Sequence, residues 1–175
     1  HLMKKNKIKH FHNEAKLNGS GKVRLFKNGE YQEDITAKHI ILATGARARV
    51  LKGLEPNGDY LWSYREALVP EELPKSIVIV GSGAIGVEFA SFYNSFGSEV
   101  TIIELQDRIL PVEDIEISKI AEKEFGKQGI KILKGHSVKS HKKKAGRVEV
   151  VITNHKDDTT ITLKTDKILS AVGVV

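Results

Sequence analysis

The chain has 175 residues, of which 40% are hydrophobic and 29% charged, with a formal net charge of +6 and no cysteine. This is enough chain for one good core or two small ones, and without thiols it holds no disulfide framework, thiolate metal site or thiol nucleophile. No run approaches the roughly 18 apolar residues of a membrane span, and the polar, lysine-rich N-terminal stretch does not read as a signal peptide. The lysines are scattered, and only residues 142–144 form a compact run, just before the hairpin-turn pair Ala145-Gly146. Charge at a hairpin tip keeps it soluble. With no aromatic residues interleaved, solvated surface is favoured over a nucleic-acid patch. Residues 1–3 read equally as a tag scar or native sequence and carry no weight.

In chain order, residues 7–11 (KIKHF) suggest a strand. The runs 22–26 and 31–36 flank Asn28-Gly29, a strong hairpin-turn signal. An apolar run then ends in ILATG, with residues 40–43 expected as a buried strand. His10 and His12 would share one face of the first strand, but no third ligand accompanies them, so surface histidines are favoured over a metal site. Residues 52–75 hold three of the four prolines and read as a connection, with a boundary near Pro74. Trp62 and Tyr64 within it read as packing anchors.

Residues 77–80 form a short β-branched run suited to a strand buried on both faces. The sequence Gly81-Ser82-Gly83-Ala84-Ile85-Gly86 follows and opens a helical pattern. Ile85, Phe89, Phe92 and Phe96 are expected to form its apolar stripe, and Gly97 to stop it. Residues 100–103 give the next strand, ending at Glu104. A second helix is expected over 115–125, with Ile117, Ala121 and Phe125 on one face, closed by Gly126 and Gly129. Residues 130–133 begin another strand. This alternation is the unit of an α/β, Rossmann-like, doubly wound parallel sheet. The layout of residues 7–45 recurs over 131–173: a strand, hairpin runs, then a short buried strand ending in a small residue and glycine. Such repetition suggests two related halves. The second carries a β-meander insertion in its sheet.

The glycine pattern comes with its context: a strand before it, a helix after it, and an acidic residue closing the next strand at close to the expected separation of about 20 residues. Gly81 permits the tight exit from the strand. Gly83 leaves room for a pyrophosphate against the backbone, and Gly86 lets the helix pack on the sheet. Free N–H groups and the helix dipole then receive phosphates. Glu104 would accept hydrogen bonds from the adenosine ribose and repel a 2′-phosphate, favouring NAD over NADP; Arg108, four residues on, could soften that preference. Glu88, on the first turn of the helix, reads equally as a helix-dipole partner or as a contact to the nicotinamide side.

The stretch PKSIVIVGSGAIGVEFASFYNSFGSEVTIIELQDRILPVEDIEISK, with ILATGARAR before it and ILSAVGVV after it, resembles the dihydrolipoamide dehydrogenase family of flavoprotein pyridine nucleotide-disulfide oxidoreductases. VTIIE and DRILP are the more particular motifs. NADP-using relatives usually carry arginines where this chain has Glu104 and its neighbours.

The resemblance implies an internal fragment in three parts: residues 1–51 from a partial FAD-binding domain, 52–75 as connection and 76–175 as the NAD-binding domain. It implies that Gly81, Ser82, Gly83, Ala84, Ile85, Gly86, Val87 and Glu88 line the diphosphate and nicotinamide ribose. Glu104 would hold the adenosine ribose, Val138 flank the adenine and Gly173 close over NAD. More weakly, Ala15, Thr44, Gly45 and Ala46 match positions beside FAD. The family's FAD glycine motif and redox cysteine pair lie upstream of residue 1, and its catalytic histidine and glutamate lie downstream of residue 175. The implied parent oxidises dihydrolipoamide through a disulfide and FAD to NAD, whereas these residues alone would not turn over and are not expected to keep flavin. The implied setting is a homodimer in 2-oxoacid dehydrogenase complexes, in bacterial cytoplasm or mitochondrial matrix, with no nucleic-acid or membrane partner. The alternatives are a related NADPH-dependent disulfide reductase and a free-standing NAD-sensing module. With its neighbouring strands missing, residues 7–45 are expected to pack loosely or to pair between chains.

Overall fold

The computed structural model describes residues 1–175, which fall into two compact units, His1–Gly45 and Ala46–Val175.

The first unit has a short helix α1 (Leu2–Lys5) and strands β1 (Glu14–Leu17), β2 (Lys22–Lys27) and β3 (Glu30–Thr36), joined as an antiparallel meander in that order. Asn28 and Gly29 make the expected turn, both with positive φ (53° and 82°), the geometry a two-residue hairpin requires. Across β2 and β3, Arg24 Nε lies 3.0 Å from Asp34 Oδ1, and this hydrogen bond holds the Asp34 carboxyl below the usual range. Leu25 is the only buried residue of the unit.

Two expected strands are absent. Residues 7–11 are irregular, and β1 begins later, at Glu14. Residues 40–43 are irregular as well, with Ile41 90% and Leu42 66% exposed. Their composition suits a strand, but no neighbouring strand pairs their N–H and C=O groups, so the pattern has nothing to complete.

The second unit contains β4 (Leu61–Trp62), α2 (Tyr64–Leu68), β5 (Ser76–Val80), α3 (Ala84–Ser95), β6 (Glu99–Glu104), α4 (Ile115–Lys127), β7 (Lys131–Lys134), β8 (His136–Lys144), β9 (Arg147–Asn154), β10 (Thr160–Thr165) and β11 (Lys167–Ser170). A five-stranded sheet runs β4-β11-β5-β6-β7, and every pairing in it is parallel. β8, β9 and β10 form a separate antiparallel meander, with Ala145 and Gly146 at its expected tip in positive φ. The α/β class, the parallel sheet and the meander insertion all agree with the sequence reading.

Alternation along β5 separates two cores. Ile77 and Ile79 pack with Val87, Ala90 and Tyr93 of α3, while Val78 and Val80 pack with Val148, Val150 and Ile152 of the meander. A strand sandwiched in this way is apolar towards both faces, which is why residues 77–80 carry no polar alternation; Ser76 at its start is buried, with its hydroxyl hydrogen-bonded by Arg147 Nη2 and the Asp166 N–H.

The connection is structural as well as linking. Leu61 and Trp62 pair in parallel with Ile168 and Leu169 and are 0% and 4% exposed. Ser63 and Glu66 then cap α2 reciprocally: Glu66 accepts from the Ser63 N–H at 2.7 Å, and Ser63 Oγ accepts from the Arg65 N–H at 3.2 Å. Tyr93 joins α3 to α2 by donating its hydroxyl to the Ala67 carbonyl at 2.7 Å, and burial pushes its pKa up.

The buried face of α3 differs in part from the expected stripe. Gly86, Val87, Ala90 and Tyr93 face the sheet, whereas Phe92 and Phe96 are 44% and 60% exposed. Ile85 and Phe89 of that stripe do pack against the core, Phe89 stacked on Tyr93, while the closest approach to the sheet is made at the first turn by Gly86. On α4 the buried residue is Ser118; Phe125 packs against the core as expected, but Ile117 is exposed.

The closeness of α3 has one cause. A Cβ on Gly86 would collide with the Gly81 carbonyl oxygen, and one on Gly81 would stand 2.6 Å from the Ala171 carbonyl oxygen. Gly86→Ala should therefore destabilise the chain by about 3 kcal/mol. Gly126→Ala on α4, whose Cβ would meet nothing, should stabilise it by about 0.5–1 kcal/mol. Denaturant midpoints measure both, and equal midpoints would contradict the packing described. In hydrogen exchange, amides of β5 and β6 should be protected close to the global unfolding limit, and those of residues 7–13 and 40–45 should exchange near the unprotected rate.

Candidate functional site

β5 ends at Val80, and Gly81 turns the chain with φ 101°, its N–H donating to the Ile103 carbonyl at 2.9 Å. Gly83 then caps α3 with φ −66° and ψ −179° and with no side-chain cap. The first intrahelical bond runs from the Val87 N–H to the Gly83 carbonyl at 3.1 Å, leaving the N–H groups of Ala84, Ile85 and Gly86 as the first-turn donors. A Cβ on Gly83 would meet nothing within 4 Å. Gly81 and Gly86 thus answer constraints inside the fold, whereas no neighbour in the chain limits Gly83.

Glu104 closes β6 beside this loop and is only 7% exposed. Its Oε2 accepts from the Ser82 N–H at 2.9 Å and from Ser82 Oγ at 2.5 Å, and its Oε1 accepts from the Gln106 N–H at 2.8 Å. A carboxylate offers about four acceptor sites, so a position on Oε1 is left for a further donor. The Ser82 carbonyl in turn accepts from the Leu110 N–H at 2.9 Å, which ties the loop after β6 to the glycine loop. Leu110 adopts φ 47° to do so.

These residues open onto a cavity of about 750 Å³, within the roughly 300–1,000 Å³ of small-molecule sites. The structure places Gly81, Ser82, Gly83, Ala84 and Ile85 on its floor, with Glu104, Val138 and Gly173 around them. Gly86 and Val87 are buried in the contact between α3 and the sheet. Glu88 faces a separate apolar groove of about 510 Å³, which it lines with Ile85, Phe89 and Ala46.

Sequence reasoning missed Arg49, Lys52 and His136, all on the cavity wall. Nothing in the local sequence of residues 46–54 signalled this. The segment reaches the cavity because Arg49 N–H donates to the Gly173 carbonyl at 2.9 Å and His141 Nε2 lies 2.8 Å from the Gly53 carbonyl oxygen. The Gly53 N–H hydrogen-bonds Glu55 and holds that carboxyl below its ordinary range. Arg108 is directed elsewhere: its Nη2 donates to the Pro111 carbonyl at 2.6 Å, and it lines a different hollow, with Asp107 and Glu122.

Of the positions matched to FAD, Ala15 lies on β1, and Thr44 and Gly45 lie in the exposed segment after β3. His10 and His12 stack edge to face, with ring centroids 4.3 Å apart, on an irregular segment and not on a strand. The chain has no group of three or more histidine, aspartate or glutamate side chains able to hold a metal ion.

Residues 1–175 match the family model described as pyridine nucleotide-disulphide oxidoreductase. The chain is 45% identical to a dihydrolipoyl dehydrogenase of Rhizobium etli, covering 99% of this chain and 39% of that protein. It is 40% identical to the Bacillus subtilis dihydrolipoyl dehydrogenase, covering 99% and 38%. Among solved structures, a ferredoxin reductase from Rhodopseudomonas palustris aligns with a TM-score of 0.75 at 26% identity, covering 99% of this chain and 43% of that one. The HOCl-induced flavoprotein disulfide reductase RclA of Escherichia coli aligns at 0.69 and 29%, covering 93% and 35%. The chain thus spans under two-fifths of the length of these dihydrolipoyl dehydrogenases. Matched by the family model over its whole length, the chain belongs to the pyridine nucleotide-disulphide oxidoreductase family.

Proposed function

We propose that residues 76–175 are the NAD(H)-binding domain of a dihydrolipoyl dehydrogenase. The observation that carries this reading is the buried Glu104 carboxylate beside the open space at Gly83. Gly83 leaves room for a diphosphate against the backbone, and the first-turn N–H groups of α3 donate to it with the helix dipole behind them. Arg49 and Lys52 on the cavity wall add positive charge. The remaining acceptor site of Glu104 suits a ribose hydroxyl; a 2′-phosphate would bring like charge against a buried carboxylate, so NAD is favoured over NADP. Val138 would flank the adenine, and Gly173 would close over the cofactor. Glu88 lines the separate groove with Ile85 and Phe89 and not the cavity of the glycine loop, and both of its readings, helix-dipole partner and nicotinamide-side contact, stay open.

In the proposed parent, dihydrolipoamide is oxidised through a disulfide and FAD with NAD as acceptor, in a homodimer serving 2-oxoacid dehydrogenase complexes in bacterial cytoplasm or mitochondrial matrix. Ala15, Thr44, Gly45 and Ala46 belong on the flavin side of that enzyme. FAD supplies its electron relay, and the cysteines, which these 175 residues lack, supply its disulfide. No helix of the chain is long and apolar enough to cross a membrane.

Calorimetric titration with NADH and NADPH tests the reading. NADH should bind at least ten-fold more tightly, a difference of about 1.4 kcal/mol, and Glu104→Gln should shrink that preference to within a few-fold. Gly83→Val should weaken both cofactors while leaving the unfolding free energy within about 1 kcal/mol of wild type. Binding of neither cofactor, or equal binding of both, would refute the assignment.

A further inference from the structure

We infer that the Ser82 side chain is the positioning residue that makes Glu104 discriminate between the non-phosphorylated and 2′-phosphorylated dinucleotides. This rests on the dinucleotide reading above and adds to it a specificity role for a residue whose motif position requires no particular side chain. Ser82 is fully buried, and its hydroxyl and its own N–H both donate to the same oxygen of Glu104, at 2.5 and 2.9 Å. The Gln106 N–H holds the other oxygen. The carboxylate plane is therefore set from both sides within the chain itself.

A glutamate at a strand end has several rotatable bonds, and fixing it in advance removes an ordering penalty that binding would otherwise bear. Ser82 is itself fixed, because its carbonyl accepts from Leu110 in the loop beyond Glu104. Alanine at position 82 would keep the backbone donor and lose the hydroxyl, the shorter of the two bonds. Glu104 would then be held by main-chain donors alone, free to swing from the ribose position and to yield to a 2′-phosphate. The hydroxyl acts on the carboxylate and has no need to touch the ligand, so its loss should change selectivity more than overall affinity.

Ser82→Ala and Ser82→Gly variants of the 175-residue chain, titrated with NADH and with NADPH, test this. The wild-type preference for NADH should fall by about five- to ten-fold, chiefly through weaker NADH binding. In a Glu104→Gln background, Ser82→Ala should change the ratio no further, since the side chain it holds no longer carries the charge that discriminates. An equal loss for both cofactors would place Ser82 at the diphosphate, and an unchanged ratio would make the hydrogen bond irrelevant to selectivity. Either result overturns the inference and leaves the dinucleotide reading standing. Wild-type chain that binds neither cofactor, or prefers NADPH, overturns both. Two variants are used because alanine and glycine load the buried loop differently, and thermal melting of each reports whether it folds.

Discussion

The second unit depends on a place where backbone meets backbone with no side chain between. Gly86 on the first turn of α3 sits over the Gly81 carbonyl, and Gly81 sits over the Ala171 carbonyl at the end of β11, each too close to admit a Cβ. This contact sets how near α3 lies to the sheet. Beyond that first turn the helix buries Val87, Ala90 and Tyr93, with Ile85 and Phe89 packed beside them and Phe92 and Phe96 left exposed. The contact also aims the start of the helix at the carboxyl ends of β5, β6 and β11, where open parallel sheets place their ligands.

From this constraint the site follows by chain geometry. β6 runs parallel beside β5, so Glu104 at its end arrives next to Ser82 and its carboxylate finds donors waiting there. The meander covers the opposite face of the sheet and carries Val138 and His136 to the cavity wall. One short strand, β5, therefore links a helix-side core to a meander-side core and delivers the glycine loop between them.

The first unit shows the opposite situation. Its three strands pair correctly and its hairpin turns as expected, yet it buries a single residue. A three-stranded meander needs a packed face to be stable by itself, and none of its own elements supplies one. Residues 40–43 make the point most clearly: their composition is that of an interior strand, and without partners they remain irregular and exposed.

The sequence alone determined the features that rest on local chemistry. The turns at Asn28-Gly29 and Ala145-Gly146 require positive φ that few residue pairs accept, so they were legible. The apolar run of β5, the helix after Gly83 and the acidic end of β6 were legible for similar reasons, since each follows from period, propensity or a backbone that only glycine permits. Tertiary structure alone decided how much of the α3 stripe is buried, because that depends on what packs against the helix, which periodicity does not encode. It also decided that the proline-bearing connection supplies an edge strand, that Arg49 and Lys52 reach the cavity, and that Ser82 and Gln106 grip Glu104 from both sides. Those outcomes depend on contacts between residues far apart in the chain, and hydrogen bonds and close packing between such residues exist only once the sheet has assembled.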